Sequence, residues 1–179
     1  MEGFSEELLR DHFTLYEGYV KNTNTFLEKL ATVDLATPEG AEMKRRLGWE
    51  WNGMRLHELY FGNMSKEKTV LTLDGALATL MTSQFGGVDA CVAAIVAAGK
   101  MRGIGWVVLS HDPSGNALMV TWINEHDVGH LAGTVPILVM DCFEHAYIRD
   151  YGIKRAEYIA AFIQAVDWNI VEQRLGDRA

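Results

Sequence analysis

Basic residues are in the minority in this 179-residue chain: 16 Lys and Arg stand against 24 Asp and Glu, a formal net charge of −8. Polyanions repel such a molecule, which excludes non-specific binding of nucleic acid or anionic membrane by the molecule as a whole, though a local basic funnel remains compatible with it. Cysteine is rarer still. Cys91 and Cys142 lie far apart in sequence and are expected as two free thiols in a reducing compartment. Long apolar runs are missing too. The longest lies around Cys91–Gly99, far short of the roughly 20 residues that a membrane-spanning helix requires. The chain opens Met1-Glu2-Gly3-Phe4-Ser5-Glu6-Glu7, acidic where a secretory signal is basic. Internal repeats and low-complexity segments are absent. These features lead us to expect a soluble, cytoplasmic protein with neither nucleic acid nor membrane as partner.

What is present is a 49% hydrophobic chain, enough for one good core or for two small units sharing a site. Ser5 followed by Glu6 and Glu7 is a helix start, with apolar residues recurring at helical spacing from Leu8 to Leu27. The segment Asp34–Pro38 breaks that pattern. Thr37 as cap and Pro38 at the first helical position then open a second helix, to about Phe61. Short helices are expected at about 73–83 and 88–101. They are followed by a strand at Gly105–Ser110, a turn at His111–Gly115, and strands at Asn116–Ile123 and Pro136–Met140. Helices at about 142–151 and 155–174 finish the chain. The expected fold class is α+β: a long helical hairpin domain over residues 1–70, then an α/β domain over 71–179 with a three-stranded antiparallel sheet.

The segment richest in chemistry is Asp141-Cys142-Phe143-Glu144-His145-Ala146-Tyr147, where the third strand meets a helix. Asp141 and His145 are four apart, so at a helix start they face the same way. A carboxylate beside an imidazole suits a first-row metal ion. The same spacing also fits an Asp that caps a helix near an ordinary His.

The spelling around this pair is more specific. Asp-x-x-Glu-His-Ala-Tyr after the Pro-led strand Pro136–Met140 resembles the hallmark of the iron/manganese superoxide dismutase family. Gly103-Ile104-Gly105-Trp106 resembles that family's Gly-Ser-Gly-Trp, and Val166-Asp167-Trp168 its Val-Asn-Trp. His57 with Tyr60-Phe61 resembles its Asn-His-x-x-Phe-Trp, and Tyr19-Val20 followed by Asn24 its Tyr-Val-x-x-x-Asn. The resemblance runs through nearly the whole chain in the right order. It implies an enzyme that disproportionates superoxide to oxygen and hydrogen peroxide at one iron ion per chain, with manganese as the alternative. The implied metal ligands are a His of the first helix together with His57, Asp141 and His145. Three imidazoles and one carboxylate leave a place for solvent.

Around the metal site the chain departs from the family in two respects. The family places its first-helix His eight residues before the gateway Tyr, and eight before Tyr19 stands Asp11, with His12 seven before it. On a regular helix seven steps return a side chain to within about 20°, whereas eight leave about 80°. Hence His12, Tyr16 and Tyr19 share a face without a widened turn, and His12 is the expected ligand, with Asp11 the alternative. The family's solvent-bonding Gln is also missing. Its place on the second helix holds Gly53, and its place before the third strand holds His126, where some iron members of the family carry His. His126 and Tyr19 are therefore the expected catalytic pair, with Trp106, Trp168, Phe61 and Phe143 as an apolar shell. His111 and His130 read as surface residues.

Glu144 resembles the family's interface Glu, which pairs with the ligand His of the partner. This implies a homodimer through Glu144 and His145. Ile148 stands where the family has an interface Tyr, so the usual Tyr–His bridge between subunits cannot form. Ile148 and the shortened spacing also leave open a metal-binding relative with weak or no dismutase activity.

Overall fold

A computed structural model describes residues 1–67 and 69–176. Helix α1 (Glu6–Leu30) starts at Ser5, whose Oγ accepts the Leu8 N–H at 3.0 Å. Helix α2 (Pro38–Gly62) starts at Thr37, whose Oγ1 accepts the Gly40 N–H at 3.1 Å. Such caps each contribute about 1 kcal/mol. The two helices pack along each other as the expected hairpin. Helices α3 (Ala76–Phe85) and α4 (Val88–Gly99) follow, split by Gly86 in the left-handed conformation. Among the described residues no single helix is long and apolar enough to cross a membrane; α3 and α4 are apolar together but meet at 74° and bury Leu77, Met81, Cys91 and Ile95 in the core.

The sheet has strands β1 (Gly105–Asp112), β2 (Ala117–Asn124) and β3 (Val135–Asp141), all antiparallel, in the order β2-β1-β3. Trp106 on the central strand pairs with Ile123 on one side and Asp141 on the other. This pairing fixes the geometry of the site, because the ends of β2 and β3 arrive together at one edge of the sheet. Helix α2 packs against β3. Leu109, Ile137, Leu138 and Met140 are fully buried there, each contributing roughly 1.5–3 kcal/mol relative to exposure. Cys91 and Cys142 are free and buried.

Four local expectations need correction. The strand expected at Gly105–Ser110 runs on to Asp112, and the turn moves to residues 113–116, tied by Asp112 carboxylate oxygens that accept the Ser114 and Gly115 N–H groups at 3.0 and 3.1 Å. His111 is therefore not a surface residue. It lies on the central strand, 3% exposed, and its Nε2–H donates to Asn116 Oδ1 at 3.1 Å. Asp141 and His145 do not share a helix: Asp141 ends β3 and His145 sits in a single 3-10 turn, Glu144–Ala146. A short helix α5 (Ile148–Tyr151) follows. The final helix is two, α6 (Arg155–Ala165) and α7 (Trp168–Gly176). Val166 is extended because it bridges to Met64, while the Ser65 N–H donates to Ala165 O (2.8 Å) and the Asp167 N–H to Asn63 O (2.9 Å). Pairing with the end of α2 outweighs local helix propensity at this point.

Candidate metal centre

Three separated parts of the chain converge on one point. Helix α1 is unbroken from His12 through Tyr19, so the seven-residue spacing presents both side chains on one face. Helix α2 contributes His57 from its buried face. The sheet contributes Asp141 at the end of β3, and the 3-10 turn after it contributes His145. Asp141 Oδ2 lies 3.0 Å from His12 Nε2, 3.1 Å from His145 Nε2 and 3.8 Å from His57 Nε2. One ligand atom from each of the four residues falls within 4.8 Å of the other three. His12, His57 and Asp141 are fully buried, while His145 retains an exposed edge.

The protonation pattern suits a cation. His57 Nδ1–H donates to the Gly53 carbonyl at 2.6 Å, which leaves Nε2 as a bare lone pair. That Nε2 is buried and has no hydrogen-bond partner among the described residues. An unpaired buried acceptor costs free energy unless something takes its lone pair. Burial pushes His57 down to about 4, against the pull of Asp141. Burial alone would raise the Asp141 carboxyl, but His145 and His12 outweigh it and hold the group far below the usual carboxylate range. Burial opposes a charge on His145 as well, yet the facing Asp141 carboxylate raises its pKa. An ionised carboxylate and the neutral His57 are already in metal-binding form, and a cation would displace any proton left on the other ligand nitrogens. Asp141 is further fixed at Oδ1, which accepts the Phe143 N–H at 2.8 Å, and its backbone carbonyl accepts the Tyr158 hydroxyl at 2.6 Å.

Asp11 takes no part in the cluster. It is exposed and pairs with Arg149 at 2.5 Å. Tyr16 sits between His12 and Tyr19, and its hydroxyl donates to Glu58 Oε1 at 3.2 Å.

Beside the cluster, His126 is completely buried. Trp106 Nε1–H donates to its Nδ1 at 3.0 Å, and its Nε2 lies 2.8 Å from the Tyr19 hydroxyl. Because Nδ1 accepts, the neutral ring carries its proton on Nε2 and donates to Tyr19. Burial pushes His126 down to about 3, so it is neutral at physiological pH. Tyr19 is pushed up to about 12 by burial and by the Asp141 and Glu50 charges, which keeps its hydroxyl protonated.

Aromatic rings close the rest of the boundary. Phe61 lies 4.9 Å from His12, Trp106 4.9 Å from His57, and Phe143 stacks on both His126 (4.9 Å) and His145 (5.1 Å). Trp168, expected in this shell, makes no ring contact with a cluster residue among the described ones; it opens α7, with its N–H on Thr69 Oγ1 at 2.8 Å. Glu144 and Ile148 are exposed, and Leu15 and Ile148 flank His145 on the outer surface. His130 is exposed, with its Nε2–H donating to the His126 carbonyl at 2.8 Å.

Two neighbours of His126 escaped the sequence reading: Trp49, whose ring lies 4.5 Å from His126, and Glu125, which accepts the Trp49 indole N–H at 3.1 Å. The available signal was the spacing of Trp49, Gly53 and His57, one helical turn apart on α2.

A helical hairpin joined to an α+β unit, with three imidazoles and one carboxylate meeting at the seam, defines a protein able to hold a single first-row metal ion. Comparison with known proteins gives the family. Residues 73–174 match the model for the C-terminal domain of iron/manganese superoxide dismutases. The chain is 36% identical to an iron superoxide dismutase of Aquifex pyrophilus over 97% of its own length and 85% of that protein's. It is 37% identical to an iron superoxide dismutase of Cupriavidus metallidurans, covering 94% and 86% of the two chains. To a manganese superoxide dismutase of Haloferax volcanii it is 36% identical over 92% and 83%. The chain belongs to the iron/manganese superoxide dismutase family.

Proposed function

We propose that this protein is a superoxide dismutase, converting two superoxide ions and two protons to one oxygen and one hydrogen peroxide at a single metal ion held by His12, His57, Asp141 and His145. The observation that carries the reading is the buried His57 Nε2, without a hydrogen-bond partner among the described residues, 3.8 Å from the Asp141 carboxylate between two further imidazoles. When bound, an iron or manganese ion supplies the chemistry by alternating between +3 and +2, one electron per superoxide. Iron is favoured, because His126 stands where some iron members of the family carry His; similarity to proteins named for each metal keeps manganese as the alternative.

The chain's own residues then have distinct tasks. Asp141 supplies the cluster's one negative charge, held ionised in a buried place by the imidazoles of His145 and His12. The Gly53 carbonyl holds His57 in the tautomer that presents Nε2. His126 donates to the Tyr19 oxygen, so the Tyr19 proton is not spent on His126 and stays available beside the cluster, where reduction of superoxide requires protons. Phe61, Phe143 and Trp106 exclude bulk water from this point.

Assembly as a homodimer through Glu144 and His145 completes the proposal, together with a cytoplasmic location. The exposed edge of His145, with exposed Leu15 and Ile148 beside it, supports an interface whose rim is apolar where the family has a polar bridge. The test is to purify the full-length chain, measure its metal and follow superoxide decay by pulse radiolysis. About one iron or manganese per chain and accelerated decay are expected. A metal-loaded protein that leaves superoxide decay unchanged overturns the reading.

A further inference from the structure

Resting on the reading of His126 as the group that orders the Tyr19 proton, we infer that Trp49 is a positioning residue: its indole holds the 124–128 turn against α2 and thereby keeps His126 in one tautomer, with its Nε2–H on Tyr19.

The His126–Tyr19 bond crosses the seam between the hairpin and the sheet. Tyr19 is on α1, whereas His126 is in the turn after β2. That turn is closed by the Asn124 N–H on Val128 O (2.7 Å) and the Val128 N–H on Asn124 O (3.3 Å). Its neighbour Glu125 adopts φ +49°, a left-handed conformation that a Glu side chain disfavours and that persists only where surrounding contacts impose it. Trp49 is the contact from across the seam. Its ring lies 4.5 Å from His126 at 75° and 5.5 Å from Tyr19, and its Nε1–H donates to Glu125 Oε2 at 3.1 Å. The Arg46 guanidinium covers the ring at 3.6 Å from its centroid, so the indole is held between a cation and the imidazole it touches.

The consequence for His126 follows from its two nitrogens. Nδ1 is committed to Trp106, which lies on the sheet, and Nε2 to Tyr19, on the hairpin. If the turn slipped relative to α2, one partner would be lost and the neutral ring would exchange between tautomers. Packing alone does not account for Trp49, because a phenyl ring would fill similar space. The indole N–H adds a directional bond to the residue next to His126.

The decisive measurement is the tautomer of His126 by two-bond 1H–15N NMR on the full-length chain loaded with zinc, a diamagnetic ion that this donor set accepts. The His126 signals are assigned by their loss in His126→Gln. The unsubstituted chain should show a single Nε2–H form. Trp49→Phe and Glu125→Ala, which remove the two halves of the indole bond, should each give averaged shifts, and Glu125→Gln, which keeps a carbonyl oxygen for the indole, should restore the single form. In protein loaded with iron or manganese, Trp49→Phe should slow dismutation several-fold, less than the roughly 10–100-fold scale of losses at residues bonded directly to a metal ligand, with metal content unchanged. A single, unshifted tautomer in either Trp49→Phe or Glu125→Ala overturns the inference. Absence of dismutation by the unsubstituted protein would overturn the proposed function instead, and the tautomer measurement would still decide the role of Trp49.

Discussion

Gly53 and Tyr19 touch so closely that no side chain fits between them: a Cβ on Gly53 would lie 2.6 Å from Tyr19 Cδ1 and 2.7 Å from Cε1. The hydrogen-bonding residue that serves Tyr19 therefore cannot come from this position on α2. It comes from the sheet side as His126. Replacing a helix-interior Gly by Ala ordinarily gains up to about 1 kcal/mol. Here Gly53→Ala should instead lower stability by about 1–3 kcal/mol, the scale of overpacking, and displace Tyr19. Thermal unfolding decides the sign.

Removing a proposed ligand should remove the metal. His57→Ala and Asp141→Ala are expected to purify with little iron or manganese, measured by plasma mass spectrometry. Asp11→Ala should retain the metal, because it loses only an exposed ion pair with Arg149, worth at most about 1 kcal/mol. Metal loss in Asp11→Ala with retention in His12→Ala would reverse the ligand assignment on α1.

His126→Ala should keep the metal, since no ligand is lost, and slow turnover by about 10–100-fold. Pulse radiolysis alongside metal analysis separates the two effects. Unchanged metal content with an unchanged rate would show that Tyr19 does not depend on His126.

Acid should destabilise the metal-free chain as soon as the pH falls below about 6.5, the value of an unperturbed His. His57 and His126 take up protons in the fold only at about 4 and about 3, against 6.5 for an unperturbed His. Between those values the unfolded chain binds more protons, so stability rises with pH. Their contribution is complete above about pH 6.5 and is lost as pH falls toward the folded values. His145, raised by Asp141, has the opposite sign, and the two depressed groups outweigh it. Urea denaturation of the metal-free chain should show stability lower at pH 5 than at pH 7.5 by on the order of 2–4 kcal/mol.

Glu144→Ala should weaken both the proposed dimer and metal retention, because in that assembly its carboxylate would reach the partner's copy of a ligand His and orient it. Sedimentation across a concentration series measures the first and metal analysis the second. A dimer of unchanged affinity would remove Glu144 from the interface.

Much of this molecule is local chemistry. Ser5 and Thr37 with Pro38 mark the two helix starts, apolar periodicity marks the hairpin, and the seven-residue step from His12 to Tyr19 fixes a shared helix face from helical pitch alone. The motif from Asp141 to Tyr147 named two of the proposed ligands, Asp141 and His145, and lies within residues 73–174, which match the family's C-terminal domain. The tertiary structure decided what depends on contacts between distant segments. The last helix breaks at Val166 because Met64 and Asn63 claim its backbone, a preference invisible in a pattern that reads as continuous helix. His111 is buried because β1 is the middle strand, and sheet order is not written in any one strand. The roles of Gly53, Trp49 and Glu125 exist only across the seam where hairpin meets sheet. Sequence fixes which groups each element can offer. Only packing sets the separations of a few ångströms that let an imidazole, a phenol and an indole order one proton.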